Sequence, residues 1–111
     1  MAVLDITSKD EFTRFMGSDV ALVDFSAPWC APCRAMDPVI EKLCATYGKQ
    51  AAIGKVDVDR LRKMAKAFGI QSIPTFIVFK TGHEINRFIG VQRREVLARS
   101  LESALSISEG K

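Results

Sequence analysis

Two cysteines frame Cys30-Ala31-Pro32-Cys33, and a third, Cys44, stands apart. An odd cysteine count makes a disulfide framework a poor reading. In a reducing compartment such a pair is more often catalytic or metal-binding than structural. Two cysteines three apart at the opening of a helix face the same way and can close a small disulfide ring. Unpaired N–H groups and the helix dipole favour a thiolate there. Cys30 precedes the helix and is expected to be the more exposed thiol. At about 100° per residue, Cys33 falls on the side of Met36, Ile40 and Leu43 and is expected to be shielded. An exposed attacker of low pKa beside a buried partner is what thiol–disulfide exchange requires.

Asp24 is the second anomaly, a carboxylate amid Leu22, Val23 and Phe25 in an otherwise apolar run. Buried, charged and unpaired, it would cost several kcal/mol. Burial raises a carboxyl pKa toward neutrality, which suits a proton acceptor for a buried thiol. Pairing with Lys55, also on a buried strand, is the blander and compatible reading. A structural zinc site needs four ligands, typically as two paired motifs. Only Cys44 and His83 remain to join Cys30 and Cys33, at no standard spacing, so no metal is expected.

The surrounding chain must hold these groups in place. Val3-Leu4-Asp5-Ile6 reads as an edge strand. Ser8 with Glu11 reads as a capping box, and Phe12, Phe15 and Met16 follow at helical spacing up to a left-handed stop at Gly17. Val20–Phe25 is apolar enough for a strand covered on both faces. Cys33 to Tyr47 is an amphipathic helix ending at Gly48, with Pro38 inside it as a kink. Ala52–Val58 is a second buried strand. Asp59 is expected to cap a short helix carrying Leu61, Met64, Ala65 and Phe68, closed by Gly69. Thr75–Phe79 is a third strand, and Thr81-Gly82 turns it into Glu84–Ile89 as a hairpin. Val96, Leu97, Leu101, Ala104 and Leu105 mark a final helix. The strand–helix–strand parts predict a mixed α/β sheet with helices on both faces.

At 111 residues, with neither an internal repeat nor a linker, residues 1–111 are expected to form a single domain. A composition 48% hydrophobic and 26% charged excludes disorder and fibrous repeats. The net charge of +3 is too mild to imply nucleic acid. Arg60, Arg62, Lys63, Lys66, Arg93, Arg94 and Arg99 read as solvated helix faces. No apolar run approaches a membrane span. The start lacks a secretory pattern, so a cytoplasmic protein is expected.

Trp29-Cys30-Ala31-Pro32-Cys33, with Val23-Asp24-Phe25 before it and Ile73-Pro74-Thr75 after it, resembles the thioredoxin family. The resemblance runs over nearly the whole chain: Pro38 in the helix, Lys55 near Asp24, Asp57-Val58-Asp59 after the strand, Gly82 in the hairpin, and Gly90 after the last strand. Any one of these is weak; together, in order and spacing, they are specific. Two positions depart from the family pattern. Ala31 stands where glycine is usual, and Ser26 where an aromatic is common. Neither change removes a reacting group.

The resemblance implies a thioredoxin fold, a central mixed five-stranded sheet flanked by four helices. It implies that Ile73-Pro74 is a cis peptide beside the disulfide, with the Ile73 backbone open to an extended substrate. Trp29, Ala31, Pro32, Ile73, Pro74, Gly90 and Val91 would form a shallow apolar platform around Cys30. It further implies a disulfide reductase in which Cys30 is the nucleophile, Cys33 the resolving thiol, Asp24 the proton acceptor, and Lys55 the residue that tunes Asp24. No cofactor is expected beyond the Cys30–Cys33 disulfide. The implied partners are disulfide-containing client proteins and a separate thioredoxin reductase, flavoenzyme or ferredoxin-dependent, since the chain has no Gly-rich dinucleotide loop. Monomer is the family default. Two other readings keep the fold: a binding subunit without catalysis, and an oxidant or isomerase. Both cysteines with Asp24, Lys55 and Pro74 argue against the first, and Pro32 before the second cysteine argues against the second.

Overall fold

The computed structural model describes residues 2–107. Its elements are β1 (Leu4–Ile6), α1 (Lys9–Phe15), β2 (Val20–Ser26), α2 (Ala31–Tyr47), β3 (Ala52–Asp57), α3 (Arg62–Ala67), β4 (Thr75–Lys80), β5 (His83–Ile89) and α4 (Arg94–Ser106). The strands form one sheet in the order β1-β3-β2-β4-β5. β1, β3 and β2 run parallel, because α1 and α2 carry the chain back to the starting edge between them. β4 is antiparallel to β2, and β5 is antiparallel to β4 through the tight turn at Thr81-Gly82.

Alternation along β2 sorts the two cores. Val20 and Leu22 point to the face covered by α2 and α4, where Met36, Ile40, Leu43, Leu97 and Leu101 meet Phe76 and Val78. Ala21, Val23 and Phe25 point to the opposite face, among Phe15, Val56, Ile77 and Phe79. Phe68, just past α3, makes ring contacts with Phe12, Phe25 and Phe79 at 5.6–5.8 Å between centroids and ties α1 and α3 to that face. The same alternation puts Asp24 on the α2 side. β2, central in the sheet, is buried along its whole length.

The order of elements is the expected one, with local corrections. Gly17 does not close α1 in the left-handed region; Met16 caps it in helical geometry, and among the described glycines only Gly69, Gly82 and Gly90 have positive φ. Ser8 does cap α1, its Oγ accepting from the Glu11 N–H at 3.0 Å. The Glu11 carboxylate reaches back one residue further than a reciprocal capping box would, to the Thr7 N–H at 2.6 Å. α2 begins at Ala31, two residues before the expected start, with Pro32 in its first turn and Pro38 within it. Pro is tolerated in that first turn because no helical partner awaits its missing N–H. α3 has no side-chain cap: Leu61 occupies the N-cap position and Asp59 is engaged elsewhere. Gly69, at φ +67°, follows α3 as expected. Cys44 is buried, packing within the α2–α4 core. His83 is exposed at the hairpin. Among the described residues, no helix is long and apolar enough to cross a membrane.

Candidate active site

The carboxyl end of β2 leads through Ala27, Pro28 and Trp29 into α2. This is where the strand edge of an α/β sheet opens and where sites in such folds are built. Cys30 is the N-cap of α2, in extended backbone conformation, and its Sγ accepts the Cys33 N–H at 3.2 Å. The sulfur thus takes the place a serine or aspartate oxygen holds in an ordinary cap, satisfying one of the helix's open donors. Cys30 and Cys33 are joined as a disulfide, with Cα atoms 5.2 Å apart. Arg34 fastens the approach loop by donating to the Pro28 carbonyl at 2.8 Å.

The expected contrast in exposure between the two cysteines is small. Cys30 is 5% exposed and Cys33 2%. The disulfide ring packs into its own apolar cluster with Ala27, Val58 and Ile73, which covers both sulfurs.

Asp24 is fully buried, and neither carboxylate oxygen meets a hydrogen-bond partner among the described residues. Burial pushes its pKa up to about 7; Lys55 pulls the other way, and Asp37 adds to the rise. The direct Asp24–Lys55 pair is not formed. Lys55 is in register beside Asp24 across β2 and β3, but its ammonium donates to Asp37 Oδ1 at 2.6 Å. Both members of that pair keep solvent contact, so their charges need less desolvation than an ammonium drawn in to Asp24. Burial works against the Lys55 charge. The hydrogen bond to Asp37 and the carboxylates of Asp37, Asp24 and Asp5 outweigh it and hold the lysine above its ordinary pKa.

Around the disulfide, the Ile73–Pro74 bond is cis, and the Ile73 carbonyl oxygen lies 4.0 Å from Cys30 Sγ. Gly90 donates its N–H to the Pro74 carbonyl at 2.8 Å, which draws Val91 to the same end of the sheet. Trp29 and Val91 are 67% and 62% exposed, and Ala31 and Pro32 are also exposed; Pro74 is buried and Ile73 and Gly90 are half-buried. Of the residues expected to form an apolar platform, Trp29, Ala31, Pro32 and Val91 are therefore exposed, while Pro74 is buried.

The sequence reading missed Asp37 and gave Asp59 a different role. Asp37 holds Lys55, and its position one turn beyond Cys33 on the same helix was the signal that could have found it. Asp59 accepts the Trp29 indole N–H at 2.6 Å, anchoring a largely exposed ring, where the sequence suggested a helix cap.

A disulfide that opens and closes at a helix N-terminus is the working part of thiol–disulfide oxidoreductases, and fold and dithiol place the protein in that class. Residues 3–103 match the family model described as Thioredoxin. Thioredoxin of Staphylococcus aureus is 43% identical over 105 residues, spanning 95% of this chain and 100% of that protein. Among solved structures, a mutant thioredoxin from Halobacterium salinarum aligns with a TM-score of 0.88 at 31% identity, over 97% of this chain and 98% of that chain. The thioredoxin of Malassezia sympodialis aligns with a TM-score of 0.85 at 36% identity, over 95% and 92%. The chain belongs to the thioredoxin family. It is a protein-disulfide reductase with the redox-active pair Cys30–Cys33, in a family that works with disulfide substrates and thioredoxin reductase.

Proposed function

We propose that the reaction divides between the two thiols as follows. The Cys30 thiolate attacks one sulfur of a client disulfide, forming a Cys30–client disulfide and releasing the first client thiolate. Cys33 gives its proton to Asp24 and attacks the Cys30 sulfur. The second client thiolate leaves, the Cys30–Cys33 disulfide closes, and two electrons have passed to the client. The observation that carries this assignment is the Cys33 N–H directed at Cys30 Sγ at the N-cap of α2. That donor and the helix dipole stabilise negative charge on Cys30 and not on Cys33. Asp24 supports the second step, being a buried carboxyl on the face that α2 covers, with its pKa raised to about 7 by burial.

Trp29, Ala31, Pro32, Ile73, Pro74, Gly90 and Val91 serve as the client platform, with Lys55 tuning Asp24. An extended client strand pairs with the Ile73 backbone. A separate thioredoxin reductase, flavoenzyme or ferredoxin-dependent, returns the couple to the dithiol. The whole chain, residues 1–111, acts as one domain, which a single sheet joining elements from Leu4 to Ile89 supports, and as a monomer, the family default. A redox pair beside one unpaired, buried cysteine fits a reducing compartment, and we assign the protein to the cytoplasm.

Cys33→Ser tests the division of labour. In a single turnover with a disulfide client, that variant should accumulate the Cys30–client mixed disulfide. Release of fully reduced client at the wild-type rate would refute it.

A further inference from the structure

Lys55 has three carboxylates within its reach, and the structure gives its ammonium to one of them. Asp5 is its register partner on β1 and Asp24 its register partner on β2. Asp37, on α2, takes the hydrogen bond at 2.6 Å. Asp37 and Lys55 line, together with Cys33 and Ser26, a cleft of about 490 Å³. The cation is thus held in a solvated cleft that reaches the resolving cysteine, while the adjacent Asp24 oxygens stay without a protein donor.

We propose that Asp37 is a positioning residue for the redox reaction: by holding the Lys55 ammonium, it keeps that cation from pairing with the Asp24 carboxylate. This rests on the reading of Asp24 as acceptor of the Cys33 proton. An Asp24 locked in an ion pair with Lys55 would be a weak base, because a nearby opposite charge stabilises the ionised form. With Lys55 tied to Asp37, the lysine still moderates Asp24 through space but does not neutralise it, and the Asp37 carboxylate itself opposes ionisation of Asp24. Removing the Asp37 charge acts twice in one direction. It takes away a like charge and frees a cation for Asp24.

Few other groups bear on this. Cys33 and Asp37 face Asp24's side of the sheet from α2, Lys55 and Asp57 from β3, and Asp5 from β1, on the far side of Lys55 from Asp24. β4 places Phe76 opposite Asp24, and α4 packs on that face through Leu97, Ala98, Leu101 and Ala104, none of which titrates. Arg34 and Arg60 join the cleft wall beyond the Asp37–Lys55 pair.

The test is a carbon-13 NMR titration of the Asp24 carboxyl in oxidised protein, where the redox cysteines do not titrate, with the pH dependence of single-turnover client reduction measured alongside. Asp37→Asn should lower the Asp24 midpoint by about one pH unit or more. Asp37→Glu, which keeps the charge, should restore most of the wild-type midpoint. In a Lys55→Met background the Asp37→Asn shift should shrink to less than half. A midpoint that stays or rises in Asp37→Asn overturns the proposal, as does a shift undiminished by Lys55→Met. A midpoint that falls while the rate profile stays put upholds Asp37's hold on Asp24 and refutes Asp24 as the proton acceptor.

Discussion

Replacing Asp24 with asparagine keeps the side chain's shape and removes its charge, so stability measured against pH isolates the cost of that charge. Asp24 is fully buried, and its pKa rises from 3.8 to about 7 on folding. Because the folded value is the higher one, the native state binds the extra proton between those limits. Wild-type stability should therefore fall as pH rises from about 4 to about 7, and level off above that. About three pH units at about 1.4 kcal/mol each amount to about 4 kcal/mol. The amide that replaces the carboxyl in Asp24→Asn carries no such dependence; any penalty it incurs for lacking hydrogen bonds is the same at every pH. The difference between variant and wild type should thus swing by about 4 kcal/mol toward the variant between pH 4 and pH 9. Urea unfolding of both oxidised proteins across that range reads it directly, since all other titrating groups are shared and cancel. Parallel stability curves would refute the reasoning, for they would mean that Asp24 ionises in the folded protein as easily as in the unfolded one.

Gly54 lies under the β1–α1 corner, where an added Cβ would meet Ile6 Cδ1 at 2.8 Å and Phe15 Cε1 at 2.9 Å. Gly54→Ala should cost about 1–3 kcal/mol by overpacking, seen as a lower denaturation midpoint with an unchanged m-value. Lys80 is buried and its ammonium is paired with Asp19 at 2.8 Å, so Asp19→Asn should destabilise by about 1–3 kcal/mol, discounted from a fully buried pair because Asp19 is half-exposed. Lys80→Met should recover most of that loss in the double variant. Trp29 is the protein's one tryptophan, which makes its fluorescence specific. Asp59→Ala removes the indole's 2.6 Å hydrogen bond and should lower the steady-state anisotropy of Trp29 while shifting global stability by no more than about 1.5 kcal/mol.

Much of this molecule is written in local sequence. The strands declare themselves because a sheet covered on both faces needs near-continuous apolar runs such as Val20–Phe25 and Thr75–Phe79. The α2 stripe from Met36 to Tyr47 reads at helical period, and the cysteine pair at the opening of that helix, with no further ligands at metal spacing, points to thiol–disulfide chemistry. Even the oddity of Asp24 is visible, because a carboxylate inside an apolar run is conspicuous without any coordinates. What the sequence could not decide was which partner each polar group takes. Lys55 has Asp5, Asp24 and Asp37 to choose among, and the choice of Asp37 follows from strand register, helix placement and the lower desolvation of a pair at the cleft. Asp59 sits where a helix cap would be, yet the fold brings the indole of Trp29, thirty residues earlier, to its carboxylate. The near-equal burial of Cys30 and Cys33 depends on Val58 and Ile73, which reach the disulfide from other parts of the chain. Periodicity and residue type are local properties and survive in one dimension. Hydrogen-bond partners and desolvation belong to the packed molecule, and only the tertiary structure decides them.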